Sequence, residues 1–415
     1  MPVVKRRMLW VHETMGRMAG AEQNILVTAP HLAGRFEHGL LYWRTSGRDE
    51  ELFCELFPDR RQVEFDAPDD RVEAEVKQFL SEFRPDIIYV HKCMSNGLLT
   101  ALLDSGVPLV RMQHDHDIYC MRSYKYFPWS RKICTRRAGP GCIFPCMAFV
   151  ARDRGKGPLG LRWVSYRRQM RHLALNRRCN AVFAVTRYMR EELIRQGFAP
   201  ERIHIFPPVP LPKEPLVESR FSDRNLVVYA GQIIRGKGVD CLIRAMAMVD
   251  VSYELVILGS GSHLEYCQAL VRELGLEARV RFPGFVSQAQ LAEIYADASV
   301  VAVPSVWPEP IATVGLEVMR YGLPVVGFDA GGISDWLKDG ETGYLIPWKD
   351  EDRMADRIRF LLEHKDVARR LGSQGRAFVN RVYHFEEYLE RLTNTMVSLS
   401  GPTDAREGIG DESIR

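Results

Sequence analysis

The chain's strongest constraint is a repeated alternation. Short apolar runs rich in β-branched residues are separated by amphipathic segments of helical period, and the series occurs twice. In the first half the runs are "RMLWVH", "HGLLYWR", "DIIYVH", "PLVRMQH", "AVFAVT" and "RIHIFP"; in the second they are "NLVVYAG", "YELVILG", "RVRFPGF", "SVVAVPS", "PVVGFD" and "GYLIP". Runs such as "DIIYV" are apolar throughout, the pattern of a strand buried on both faces. Strands that alternate with helices form parallel sheets covered on both sides. Between the two series lies "FPPVPLPKEPLVESRFSDRN" (206–225), proline-rich and without apolar period, which reads as a linker. At 415 residues the chain also exceeds a single core.

The expected class is therefore α/β: two doubly wound domains, 1–210 and 211–384, facing across a cleft. A segment at 385–400 has helical period, and a polar tail at 401–415 is expected to be disordered. Ligands of such sheets sit beyond the carboxyl ends of the strands. No run of about 18 apolar residues is present to span a membrane. The start "MPVVKRRMLWVHETMG" is too poor in apolar residues for a secretory leader, so a cytoplasmic protein is expected.

The stretch "PSVWPEPIATVGLEVMRYGLPVVGFDAGG" places Glu309 before an expected helix and Glu317 in its second turn, with Ile311, Ala312, Thr313 and Gly315 between. Helix N-termini offer free N–H groups and partial positive charge, and small residues let a ligand come close to them. Two carboxylates flanking such a point suit a nucleotide sugar: sugar at one, ribose hydroxyls at the other, diphosphate between. Taken alone, the pair also fits a dipole-complementing Glu309 and a surface Glu317.

The surroundings add a glycine turn with cations ("YAGQIIRGKGVD"), a second turn ("VILGSGS"), then "FPGFVSQAQLAEIYADASVVAVPS", "PEPIATVGLEVMRYGLPVV" and "DAGGISDWLKDGETGYLIP", in that order. This series resembles the donor domain of the retaining family 4 glycosyltransferases of GT-B architecture. The resemblance implies that Glu309 lies near the transferred sugar, Glu317 binds the ribose, and Lys237 contacts the diphosphate. It puts Gly231, Gly331 and Gly332 close to the donor, and Phe285 and Val286 where backbone meets the base. Gln232 stands where the family commonly has arginine, with Arg235 three residues on as a substitute cation. Ala312 replaces a usual glycine, and Asp335 a usual glutamate. The implied reaction moves a sugar from a nucleoside-diphosphate donor, UDP or GDP, to a saccharide or lipid-linked acceptor of cell-surface polysaccharide or glycolipid synthesis. No cofactor is required. The rival readings are a GT-B nucleotide-sugar epimerase and a catalytically silent sugar-nucleotide or membrane-binding scaffold.

In the first domain, "HETMGRMAGAEQNIL" is similar to the family's glycine-containing first loop and offers Gly16 and Gly20 to the donor; an ordinary turn accounts for them equally well. His114-Asp115 in "VRMQHDHDIYC" matches a catalytic-site "HD" pair, which His116-Asp117 repeats two residues later.

Cys120, Cys134, Cys142 and Cys146 follow a C-x13-C-x7-C-x3-C spacing in an insertion at about 117–178. Four thiolates make a closed structural Zn2+ site; four unlinked thiols are the alternative. Residues 121–178 also hold fifteen Lys or Arg against one acid, Asp153, in a chain of net charge +3, and are rich in aromatics. That mixture fits peripheral attachment to an anionic membrane face or an anionic acceptor. No nucleic-acid motif accompanies it, so no nucleic-acid partner is expected.

Overall fold

The computed structural model describes residues 5–17, 20–152, 161–209 and 219–401. The first sheet contains β1 (Arg6–Met15), β2 (Phe36–Thr45), β3 (Asp59–Gln62), β4 (Ile87–Val90), β5 (Leu109–Gln113), β8 (Ala181–Ala184) and β9 (Ile203–Ile205); β6 (Val150–Arg152) and β7 (Leu161–Trp163) form a separate hairpin. The second sheet contains β10 (Leu226–Ala230), β11 (Glu254–Leu258), β12 (Val280–Gly284), β13 (Ala298–Val303), β14 (Val325–Phe328) and β15 (Gly343–Ile346). All pairings within the two large sheets are parallel, in the orders β3-β2-β1-β4-β5-β8-β9 and β12-β11-β10-β13-β14-β15.

Each expected apolar run is a strand. In β4, β5, β8, β13 and β14 every residue is buried, as strands covered on both faces require. The β6–β7 hairpin was not anticipated, nor, within the two large sheets, was β3, which reads "DRRQ" and buries none of its residues fully. It is an edge strand held by backbone pairing to β2, so it carries no apolar signal.

Both sheets reverse their strand order once, between β1 and β4 and between β10 and β13. A doubly wound sheet opens a crevice at that point. The loops that follow β10 and β13 carry Lys237 and Glu309, so the topology alone sets the two side by side.

Helix Phe385–Leu399 returns to the first domain. Arg6 donates to the Val397 carbonyl at 3.0 Å, Asn24 Nδ2 to the Tyr388 hydroxyl at 3.4 Å, and Arg391 to the Ile205 carbonyl at 3.1 Å. One apolar cluster consequently extends from the first sheet through Ile311, Leu316 and Trp336 to Leu392 and Met396. The linker assigned to 206–225 lies in part, and the tail nearly whole, outside the described residues. Its described end is anchored, Ser219 N–H to the Tyr321 carbonyl at 3.2 Å and Arg220 N–H to that of Ala296 at 2.7 Å.

Candidate active site

Lys237 ends a short turn, Arg235–Lys237, closed by Gly238 in the left-handed region (φ 66°). A Cβ on Gly238 would stand 1.9 Å from the Pro304 carbonyl oxygen, so the turn lies directly on the end of β13. The Val306 and Trp307 N–H groups both donate to the Gly236 carbonyl, at 2.9 and 3.1 Å. This clamp brings Lys237 Nζ to 2.7 Å from Glu309 Oε1, and the Ser305 hydroxyl donates to the same oxygen.

Glu309 is 2% exposed. A carboxylate so enclosed is costly unless paired and hydrogen-bonded, and both conditions are met. Its backbone is fixed as well: the Glu309 N–H donates to the Ala330 carbonyl (3.1 Å), and the Gly332 N–H to the Glu309 carbonyl (2.7 Å). Gly331 and Gly332 leave room for this loop, since a Cβ on either would lie within 2.5 Å of the Glu309 or Pro310 carbonyl oxygen. Their close packing is thus at least partly internal to the protein.

Ala312, left-handed at φ 57°, caps helix Thr313–Arg320. Trp336 holds the entry, its Nε1–H donating to the Ile311 carbonyl at 2.5 Å, while its ring fills the space beside Gly315. Thr313 is exposed at the helix start, and Glu317 stands in the second turn on a cavity of about 530 Å3 between the domains. Gln288 and Tyr295 line that cavity from the second domain, Arg17, Gly20 and Asn24 from the first, and Phe385 and Tyr388 from the last helix. The buried Tyr295 hydroxyl has no hydrogen-bond partner among the described residues. Phe285 is exposed and Val286 half-buried just ahead of Ser287, whose hydroxyl caps helix Gln288–Asp297.

Other assigned residues fall elsewhere. Gly16 (φ 99°) packs on the loop after β2, where a Cβ would meet Ser46 Oγ at 2.2 Å. The Gln232 side chain is exposed. The Arg235 guanidinium does not extend toward Glu309; it donates to the Pro128 and Trp129 carbonyls of the insertion at 2.5 and 3.3 Å.

His114 Nε2 is 3.0 Å from His91 Nδ1 rather than at the glutamate. The repeat of the pair makes the contact between domains. His116 Nε2 donates to the Pro308 carbonyl (2.8 Å), and its Nδ1 accepts from the Tyr119 hydroxyl (2.7 Å). A second bond across the cleft runs from the Thr186 hydroxyl to the Pro310 carbonyl at 2.8 Å. Ser305 and Trp307, whose buried indole N–H beside Lys237 has no partner among the described residues, were not singled out from sequence. Their only signal was position, just past a strand end in the same loop as Glu309.

The glycosyl transferases group 1 family model matches residues 213–378, and the Glycosyltransferase Family 4 model matches residues 18–209. The chain belongs to the family 4 glycosyltransferases. The family's GT-B fold is also that of the solved structures it resembles. The Anabaena protein HepE, in complex with UDP and glucose, superposes with a TM-score of 0.70 at 19% identity over 95% of this chain and 100% of that one. The lipopolysaccharide outer core galactosyltransferase WaaB gives 0.68 at 18% identity, over 94% and 99%.

By sequence, 135 residues are 36% identical to an uncharacterized glycosyltransferase of Methanocaldococcus jannaschii, 32% of this chain and 34% of that protein. In a separate comparison, 184 residues are 28% identical to the GDP-mannose-dependent alpha-(1-6)-phosphatidylinositol monomannoside mannosyltransferase of Mycobacterium tuberculosis, 42% of this chain and 48% of that protein. The chain spans between about a third and a half of the length of these curated relatives.

Burial pushes His38 and His116 down to about 4, His114 and His172 to about 3, and His91 well below the usual imidazole range. An imidazole held neutral in the fold adds stability that is present above about pH 6.5 and lost as pH falls through the folded value. Asp117, raised by burial and by Asp115 to about 7, acts oppositely and loses its contribution as pH rises through 7. Burial raises Glu13, Asp329 and Asp335 as well, and these act with Asp117; the prediction is that the five histidines dominate. Denaturant unfolding at pH 7.5, 6 and 5 should show stability falling toward acid, and His116→Asn should make that fall shallower.

Proposed function

We propose that the protein is a retaining glycosyltransferase that moves a sugar from a nucleoside-diphosphate donor, UDP- or GDP-linked, to a saccharide or lipid-linked acceptor. The observation that carries this reading is the fixed pair Lys237–Glu309 beside the N-terminus of helix Thr313–Arg320, with Glu317 on the cavity between the domains. A nucleoside diphosphate is already a good leaving group, so the protein's main task is to stabilise its developing charge.

Lys237 and the free N–H groups at Ala312 to Val314 supply positive potential for that purpose, so no metal step is invoked. Glu309 faces the anomeric centre and offsets its positive charge. Glu317 accepts from the ribose hydroxyls. The Trp307 indole N–H is a free donor toward the sugar. The acceptor approaches from the first domain, where β1, β4 and β5 end. The departing phosphate takes the acceptor's proton on the same face, which preserves the anomeric configuration.

The relatives support the donor class: one neighbour is named in complex with UDP and glucose, and one relative is named as GDP-mannose-dependent. The silent-scaffold reading draws on Gln232 and on Arg235, whose guanidinium is tied to the insertion. Glu309→Gln separates the two. Under the proposal it lowers kcat about 100-fold or more while nucleotide affinity changes little, and Glu317→Ala weakens nucleotide binding about tenfold, or about 1.4 kcal/mol. These are read as nucleotide release from UDP- and GDP-sugars offered with saccharide and lipid-linked acceptors, alongside calorimetric titration. Unchanged transfer by Glu309→Gln would contradict the assignment.

The lipid-linked branch rests on the insertion. Trp129, Phe144 and Trp163 are 78%, 80% and 78% exposed within the basic window. No helix among the described residues is long and apolar enough to cross a membrane, so attachment at the inner membrane face is assigned to this surface, with cations worth about 1 kcal/mol each near anionic lipid. Cosedimentation should show binding to vesicles containing anionic lipid, weakened by salt and by Trp129→Ala with Phe144→Ala. Equal binding to neutral vesicles, or none to either, would remove this branch.

A further inference from the structure

We propose that Cys120, Cys134, Cys142 and Cys146 hold one structural Zn2+ that fastens the insertion against the donor domain. Although spread over 27 residues, these four cysteines line a single small cavity, together with Lys125 and Arg136. Its volume of about 30 Å3 suits one ion or water rather than an organic ligand. The remaining cysteines do not line it. Cys93, Cys179 and Cys267 are buried core thiols, Cys241 is buried beside the Arg131 guanidinium, and Cys54 is half-buried.

Cations stand around the four cysteines. The Arg122 guanidinium donates to the Cys146 and Met147 carbonyls at 3.2 and 2.8 Å. Lys125 is 3% exposed, donates to the Arg136 carbonyl at 2.5 Å, and places its ammonium within electrostatic reach of Cys134, Cys120 and Cys142. Its nearest carboxylate, Glu192 Oε2, is 3.3 Å away and is shared with Arg195. A Zn2+ bound by four thiolates carries net charge −2, and this cationic shell offsets it.

Among the described residues no three His, Cys, Asp or Glu side chains stand at ligating distance from a common point. Binding therefore draws the sulfurs inward across the cavity until each lies about 2.3 Å from the metal. Four thiols bind one Zn2+ and release four protons, with no change of oxidation state.

The segment also requires a fastening. From Cys120 to Phe149 its regular structure is an isolated bridge, Tyr126 to Ile133, and the turn Pro140–Cys142. Yet the hairpin between Cys120 and Cys134 makes specific contacts across the domains. Arg131 meets Asp240 in a two-point pair at 3.0 and 2.8 Å, with both residues buried, and the Pro128 and Trp129 carbonyls receive Arg235. Burial alone would raise the Asp240 carboxyl; His263 and Arg131 hold it well below the usual range. A metal at the base of the hairpin fixes the geometry of these contacts, whatever reaction the cleft performs.

The test measures metal in the full-length protein, purified without chelator or added metal. Elemental analysis should find about one zinc per chain, released when a mercurial titrates the thiols. Cys134→Ser and Cys142→Ser should each hold about fivefold less zinc, and stripping the wild-type protein should lower its Tm, restored by Zn2+ but not by Mg2+. Folded wild-type protein with no zinc and no uptake would overturn the proposal. So would iron with visible absorption, or full zinc content in Cys142→Ser. If the variants do not fold, the wild-type metal content and its mercurial release still decide the matter.

Discussion

The arrangement depends on one buried carboxylate. A carboxylate at 2% exposure is costly without a partner, and Lys237 reaches Glu309 because the Gly236–Gly238 turn is pressed onto the end of β13. That contact exists because β10 and β13 are neighbours at the reversal of strand order. The same loop is fixed from the other side by Gly331 and Gly332, and the helix behind it by Trp336. Topology brings the charges together, backbone packing aims them, and the charge pair makes the loop costly to open.

Closure of the two domains follows similar rules. The residues on either side of Glu309 offer their carbonyls to the first domain, Pro308 to His116 and Pro310 to Thr186. These bonds join the two domains at the backbone of the loop that carries Glu309. Arg131–Asp240 adds a buried ion pair at the cleft's edge, and helix Phe385–Leu399 packs behind it. A ligand between Gly20 and Glu317 would thus occupy a cavity whose walls are already in register.

Much of this was legible in sequence because the signals were local. Strands buried on both faces announce themselves as unbroken apolar runs, and a helix start flanked by Glu309 and Glu317 is visible in a single stretch. What escaped notice lacked a local signal. Strand β3 buries nothing, so its residues look like loop. The choice between His114 and His116 turns on which side chain faces the partner domain, which two identical dipeptides cannot reveal. Arg131 and Asp240 are 109 positions apart, and only the fold identifies them as a pair. Arg235 shows the same limit: its spacing suggested the phosphate, but a nearby pair of insertion carbonyls takes its guanidinium.

The most direct measurement is a crystal structure of the protein soaked with UDP and, separately, GDP. The account predicts that one of them places its diphosphate on the N–H groups at Ala312 to Val314 with Lys237 in contact, and its ribose on Glu317. A nucleotide bound away from the loop of Glu309, or a cleft empty at saturating concentrations of both, would contradict it.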